Sequence, residues 1–222
     1  MRKVLVFAPH PDDDVIGCGG SIINHVIKGN SVGVAYVTSG DIGSLTYTSA
    51  DIMAIREAEA AKAARFLGVT QLHFLRKPDG FLQYSRETVM AITSLLRSFR
   101  PDVVYIPHQQ DEHRDHRMTH DLVLECCAWA ASPRAGECGC ELWAVGTILC
   151  YEVGTPLPAV HYVEDISAVM DRKIEAMQMH ESQVAVLPYD EAVKSMNRLR
   201  GITTNRGQYC ECFQVVKVAE LF

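Results

Sequence analysis

In the stretch Lys3-Val4-Leu5-Val6-Phe7-Ala8-Pro9-His10-Pro11-Asp12-Asp13-Asp14, a short apolar run gives way at once to two prolines, a histidine and three carboxylates. Residues 3–8 have the composition of a buried parallel strand, and Pro9 ends it because it has no N–H to donate. Residues 17–28 then read as a helix, closed by Gly29-Asn30 in the C-cap position. A strand followed directly by polar residues and a helix is the opening of a βαβ unit.

The same alternation continues outward. Residues 31–38 (SVGVAYVT) form the second expected strand, and a Gly-rich loop follows at residues 39–44. Asp51 is placed to cap a helix that runs to Leu67, with Gly68 just past its end. Residues 71–75 read as a third strand, and Lys77-Pro78-Asp79-Gly80 as a turn. Ser85 starts a helix bounded by Pro101, residues 102–107 (DVVYIP) read as the fourth strand, and residues 116–131 as the next helix. In the last third, residues 146–153 and 208–218 read as strands, and 167–180 and 190–200 as helices. Strands separated by helices of this length predict an α/β chain: a Rossmann-like three-layer fold, with a mainly parallel sheet flanked by helices. No internal repeat or linker interrupts residues 1–222, so one domain is the simplest account.

Composition narrows the function. The chain has 222 residues, 48% of them hydrophobic and 22% charged, with a net charge of −6. No basic stripe exists to displace the counterions of a nucleic acid, so nucleic acid is excluded as a partner. No stretch approaches the ~20 apolar residues of a membrane span. The apolar run after Met1-Arg2-Lys3 is too short for a signal peptide, and the expected location is cytoplasmic. There the eight cysteines stay reduced. Buried thiols explain them better than a structural zinc built from Cys138-x-Cys140 and Cys210-x-Cys212, whose spacing is tighter than the usual C-x₂₋₄-C.

Ligands of open parallel sheets bind beyond the carboxyl ends of the strands. Two polar clusters lie there. After the first strand comes His10-Pro11-Asp12-Asp13-Asp14, whose adjacent carboxylates repel one another unless a cation sits among them. A solvated turn that caps the next helix is the other reading. After the fourth strand comes Asp111-Glu112-His113-Arg114-Asp115-His116. His113 and His116, three apart, share one face of a helix start. Neutral imidazoles suit zinc; histidines that merely meet solvent are the alternative.

Taken together, APHPDDD and the later D-x-H-x-D-H resemble the PIG-L/LmbE family of zinc-dependent N-deacetylases. Weaker likenesses lie at Thr38-Ser39-Gly40-Asp41-x-Gly43, Arg56-Glu57-Ala58-Glu59, Pro78-Asp79-Gly80, His180-x-Ser182-Gln183 and Glu211-x-Phe213. The resemblance implies removal of acetyl from an N-acetylglucosamine conjugate, with one Zn²⁺ held by His10, Asp13 and His116. It also implies Asp12 as general base, and His113 as the group that stabilises the oxyanion and protonates the leaving amine. Asp115 would orient His113, and Arg56 would touch substrate. Relatives of this kind often assemble as trimers or hexamers. Where the family usually has Glu after its two aspartates, this chain has Asp14. That position is not a ligand, so little consequence is expected.

These residue types suit amide hydrolysis. Three protein ligands leave zinc an open position, and zinc can lower the pKa of a bound water to about 7. Fe²⁺, Co²⁺ or Mn²⁺ can occupy a His₂Asp site as well. A nucleotide-binding module without hydrolase activity is the competing reading. Gly17-x-Gly19-Gly20 invites it, but Ile22 replaces the last glycine of G-x-G-x-x-G. Bland expectations attach to three further features. Arg56 and Glu59 suit a surface ion pair, His180 a helix C-terminal cap, and Trp129 and Trp143 packing around residues 132–140.

Overall fold

Each strand of the sheet's centre is apolar on both faces, which requires cover on both sides. In the computed structural model, which describes residues 1–42, 44–139 and 141–219, β1 (Lys3–Ala8) turns Val4, Val6 and Ala8 to one core and Leu5 and Phe7 to the other. Helix α1 (Asp13–Ile27) covers the first face, together with α2 (Ser49–Leu67) and α5 (Met170–Gln178). Helices α3 (Arg86–Phe99) and α4 (Arg114–Ala130) cover the second. The expected three-layer architecture is what the chain adopts.

The seven-stranded sheet has the order β3-β2-β1-β4-β5-β7-β6. Here β2 is Ser31–Thr38, β3 Gln71–Lys77, β4 Val103–Pro107, β5 Thr147–Tyr151, β6 Tyr162–Asp165 and β7 Cys210–Lys217. Strands β1 to β5 pair in parallel, and β7 runs antiparallel to both β5 and β6. From β1 the chain goes outward to β2 and β3, then returns to the other side of β1 as β4. The order therefore reverses between β1 and β4, and a crevice opens beyond their carboxyl ends. Both polar clusters follow these two strands.

Several expected boundaries shift for identifiable reasons. Helix α1 starts at Asp13, four residues before the expected Gly17, because Asp13 and Asp14 sit in its first turn, where the helix dipole favours negative charge. Strand β6 was not expected. It is a four-residue edge strand ending in Glu164 and Asp165, too short and too acidic to carry a strand pattern. The helix expected over residues 167–180 is a 3₁₀ turn (Ser167–Val169) followed by α5; a one-turn helix, α6 (Glu181–Val184), comes next, and α7 (Tyr189–Thr204) is longer than expected.

The glycines Gly17, Gly19 and Gly20 lie inside α1 and not in a loop before it. Side chains there would collide with the ring of Tyr151, crowd Lys173 and meet Ile166 at 2.5 Å, respectively. They are packing glycines, and they form no phosphate cradle ahead of a helix. Among the described residues, every cysteine is free and buried; Cys140, like Gly43, lies outside them.

Candidate metal centre

The site is built on two turns. Pro9 and Pro11 bracket His10, and Asp12 caps α1 with φ 143°. That conformation is costly for a residue with a Cβ, on the order of 1–3 kcal/mol, and such strain clusters at functional sites. It directs the carboxylates of Asp12 and Asp13 apart. On the second turn His113 caps α4 by accepting the Asp115 N–H at Nδ1, 3.3 Å away. One turn into the helix, His116 faces back toward β1.

Three side-chain atoms converge. His10 Nδ1 lies 3.1 Å from Asp13 Oδ2, His116 Nε2 lies 3.4 Å from the same oxygen, and the two nitrogens are 3.3 Å apart. Ligands about 2.0–2.1 Å from a tetrahedral zinc stand roughly 3.3 Å from each other. The residues present thus fit a divalent ion held by His10, Asp13 and His116. The His113 ring is close, with its centroid 4.8 Å from both His10 and His116, and the three imidazoles form a gathered set. Its Nδ1 is committed to the helix cap.

Carboxylates outside this triad lie beside the outer nitrogens of the two imidazoles. His10 Nε2 lies 3.1 Å from Asp79 Oδ1 and 3.5 Å from Asp115 Oδ2. His116 Nδ1 lies 3.2 Å from Asp111 Oδ1. Burial opposes the charge of His10, yet Asp115, Asp13 and Asp79 outweigh it and hold the ring well above its usual titration range. His116 is likewise disfavoured by burial but raised to about 9 by Asp13 and Asp111. Asp13 is held well below the usual carboxylate range: burial works against its charge, and His116 and His10 overcome it. A pocket that charges two imidazoles this strongly offers the same negative field to a metal cation.

Asp12 differs from its neighbour. Burial raises its carboxyl to about 7, with Arg56 pulling it down and Asp13 pushing it up. Its Oδ2 accepts from Arg56 Nη2 at 3.3 Å. Arg56 is itself buried and also donates to Pro11 O and Gly40 O. The surface ion pair expected with Glu59 is therefore absent; Glu59 accepts from Ser182 instead. Asp14 is fully buried, accepts from the Tyr36 hydroxyl at 3.1 Å, and is pushed up to about 7, chiefly by burial.

One assignment needs correction. Asp115 does not orient His113 with its carboxylate, which accepts from Gly80 N and Leu82 N and reaches toward His10. Burial, and then the charges of His10 and His116, lower the His113 titration, so its ring is neutral with the proton inferred on Nε2. His180, expected as a helix C-cap, is instead fully buried at the start of α6. Neither ring nitrogen has a partner among the described residues, and burial lowers it to about 3.

Sequence reasoning missed Asp79 and Asp111 as the carboxylates beside the His10 and His116 rings. Both lay inside quoted motifs, Pro78-Asp79-Gly80 and the string that starts at Asp111. The usable signal is that a ligating histidine needs a carboxylate or carbonyl on its other nitrogen. Two further groups among the described residues converge closely enough to hold an ion, His10 with His113 and His116, and His10 with Asp79 and Asp115; both share His10, and no cysteine belongs to either.

A doubly wound sheet with a His/Asp cluster at its switch point defines a Rossmann-like protein with a candidate metal centre. The chain belongs to the GlcNAc-PI de-N-acetylase family, PIG-L, whose family model matches residues 5–127. It is 33% identical over 192 residues to the diacetylchitobiose deacetylase of Thermococcus kodakarensis, which spans 82% of this chain and 70% of that protein. A 1D-myo-inositol 2-acetamido-2-deoxy-alpha-D-glucopyranoside deacetylase of Rhodococcus jostii is 27% identical over 244 residues, covering 84% of this chain and 83% of the relative. Among solved structures, N,N'-diacetylchitobiose deacetylase from Pyrococcus horikoshii superposes with a TM-score of 0.89 at 29% identity, covering 97% of this chain and 84% of that one. The 4-carboxy-2-hydroxymuconate hydratase of Pseudomonas putida shares the fold alone, with a TM-score of 0.84 at 24% identity over the full length of both chains.

Proposed function

We propose that this chain is one deacetylase domain that hydrolyses the acetamide of an N-acetylated amino sugar, releasing acetate and the free amine, with zinc held by His10, Asp13 and His116. The observation that carries the reading is the convergence of those three ligand atoms at 3.1–3.4 Å. Relatives that are named deacetylases of N-acetylglucosamine units supply the substrate class.

When bound, the ion supplies a Lewis acid that polarises the amide carbonyl and acidifies water near neutral pH. Asp12 faces Arg56 and lies beside the triad, with a carboxyl that ionises at about 7. It takes the proton of the attacking water. Because a neutral His113 has its one proton turned to the carbonyl oxygen, Asp12, and not the His113 that the resemblance implied, returns a proton to the nitrogen as the C–N bond breaks. Neutral His113 donates from Nε2 to the carbonyl oxygen as negative charge develops there. Asp79, Asp115 and Asp111 hold the two imidazoles in register, and Arg56 fixes Asp12 while facing the substrate.

The test is amine release from N-acetylglucosamine conjugates by metal-stripped protein, before and after zinc is restored. Turnover that zinc does not restore, with zinc demonstrably bound, sinks the reading. Free thiols at Cys18, Cys126 and Cys150 support a reducing, cytoplasmic setting, and assembly as a trimer or hexamer is part of the same proposal. Among the described residues, no helix is long and apolar enough to cross a membrane.

A further inference from the structure

A second concavity, of about 210 Å³, opens beside the metal centre between the first turn of α1, the loop after β5 and the first half of α7. Ile16, Val153, Tyr189, Ala192, Val193 and Met196 line it. Three polar residues also reach its wall, and their polar atoms are already engaged. Glu152 accepts from Arg200 at 2.8 Å and from Leu157 N at 2.7 Å. Glu211 accepts from Lys173, Gly20 N and Ser21. Asn197 bridges Lys173 and Cys210 O. What the cavity offers a ligand is therefore hydrocarbon and one aromatic ring, a lining that rewards apolar contact.

The walls of the cavity are tied to the segments that carry the site. Ile16 N donates to Asp12 O at 3.0 Å. The loop that carries Val153 and Gly154 is tied by Thr155 N to Asp111, the partner of His116. A side chain at Gly154 would come within 3.8 Å of Glu112, next to His113. Tyr189 is near enough that burial, followed by the charges of Asp12 and Asp13, raises its phenol.

We infer that this cavity receives an apolar group attached to the N-acetylated sugar, an aryl or short alkyl aglycone. The inference deepens the deacetylase reading and rests on it for the identity of the sugar. An apolar cavity of about 150 Å³ accepts a benzene ring, so 210 Å³ accommodates a phenyl group. Conjugates with polar aglycones gain nothing from these walls.

The test compares kcat/KM of the zinc-loaded full chain for phenyl and methyl N-acetylglucosaminides. The wild type should prefer the phenyl compound by on the order of tenfold. Ala192→Trp, which fills the cavity from the exposed side of α7, should bring the ratio to about one. Met196→Ala, which enlarges it, should shift the preference toward a naphthyl aglycone, a gain that a damaged fold cannot produce. Equal kcat/KM for the two substrates in the wild type, or a ratio untouched by Ala192→Trp, overturns the proposal. If neither glycoside is hydrolysed, the deacetylase reading fails and calorimetric binding of the same two glycosides decides the cavity. Tighter phenyl binding that is lost in Ala192→Trp upholds it, and equal binding overturns it.

Discussion

Arg56 Nη2 stands 3.3 Å from Asp12 Oδ2 with both side chains buried, and the guanidinium is anchored on two backbone carbonyls as well. Of the charges acting on Asp12, Arg56 is the largest that favours ionisation, set against burial and Asp13. Replacing Arg56 by Met removes that support. The carboxyl then loses its proton only at higher pH, so the acid limb of the kcat/KM profile should move upward. Arg56→Lys, a point charge without the planar fork, should shift it less. A profile that keeps its acid limb in Arg56→Met would mean that another group sets it.

The division of labour between adjacent aspartates makes a second prediction. Asp13 converges on His10 and His116, whereas Asp12 turns away to Arg56. Asp12→Asn should lower kcat by about 10²–10⁴, the usual contribution of a positioned acid–base group, while zinc stays bound one to one. Asp13→Asn should lose the metal as well. Zinc analysis of the purified variants separates the two, and metal loss from Asp12→Asn would end the assignment.

How much of this was legible beforehand follows from where the signals sit. The strands at the sheet's centre are buried on both faces, so Lys3–Ala8 and Ser31–Thr38 announce themselves as apolar runs. The proposed ligand residues stand in compact strings right after such strands. What the sequence hides is direction. Asp115 sits beside His113 in the chain, but the cap at His113 Nδ1 turns its carboxylate to Gly80 and His10. Asp79 comes from a third loop, and only the folded arrangement of β1 and β3 brings it to His10 Nε2. Arg56 looked like a surface residue because its helix position says nothing about the Gly40 loop that folds over it.

Asp79 and Asp111 each place a carboxylate oxygen beside the outer nitrogen of a proposed ligand ring, at 3.1 and 3.2 Å. Partners of this kind fix ring orientation and raise ligand basicity, and losing one typically costs 10–100-fold in metal affinity or activity. Asp79→Asn and Asp111→Asn should each weaken zinc binding within that range, measured by competition with a chelating dye. Unchanged affinity in both would show that the triad needs no outer support.

Arg97 is a separate matter of stability. It is 2% exposed, and its guanidinium donates to the carbonyls of Ala130, Ala135, Trp129 and Ser132, tying the end of α4 to the 3₁₀ segment Pro133–Cys138. Arg97→Met fills the space but removes the guanidinium from all four carbonyls. Trp129 O keeps Ser132 N and Ala130 O keeps Trp143 N, while Ser132 O and Ala135 O lose their closest donor, and a buried acceptor that loses its donor is costly. The variant should unfold at lower urea concentration, by roughly 3 kcal/mol of stability. A midpoint shift corresponding to under about 1 kcal/mol would mean that water satisfies the carbonyls just as well.

The charge balance of the metal-free site dictates its pH response. His116 titrates at about 9 in the fold against 6.5 in a free side chain, and His10 is raised in the same sense. The contribution of His116 to stability is complete below about 6.5 and disappears as pH rises through about 9, and that of His10 is lost in the same sense as pH rises. Asp12, raised from 3.8 to about 7, acts the same way: the fold favours its protonated form, and stability falls as pH climbs through 7. Asp13 is depressed, so its contribution is lost only on acidification below the ordinary carboxylate range. The buried histidines whose titration is lowered, His25, His113 and His180 among them, act in the opposite sense, but only until the unfolded chain has released its imidazole protons near pH 7. Above that point the groups that change, His10, His116 and the last of Asp12, all point one way. The Tm of chelator-treated protein should fall between pH 7.5 and 9, while zinc, which would replace those protons, should raise Tm more at pH 9 than at pH 7.5. Thermal scans at both pH values, with and without zinc, read this directly. A metal-free Tm that holds steady or rises toward pH 9 would contradict the assigned proton balance of His10, His116 and Asp12.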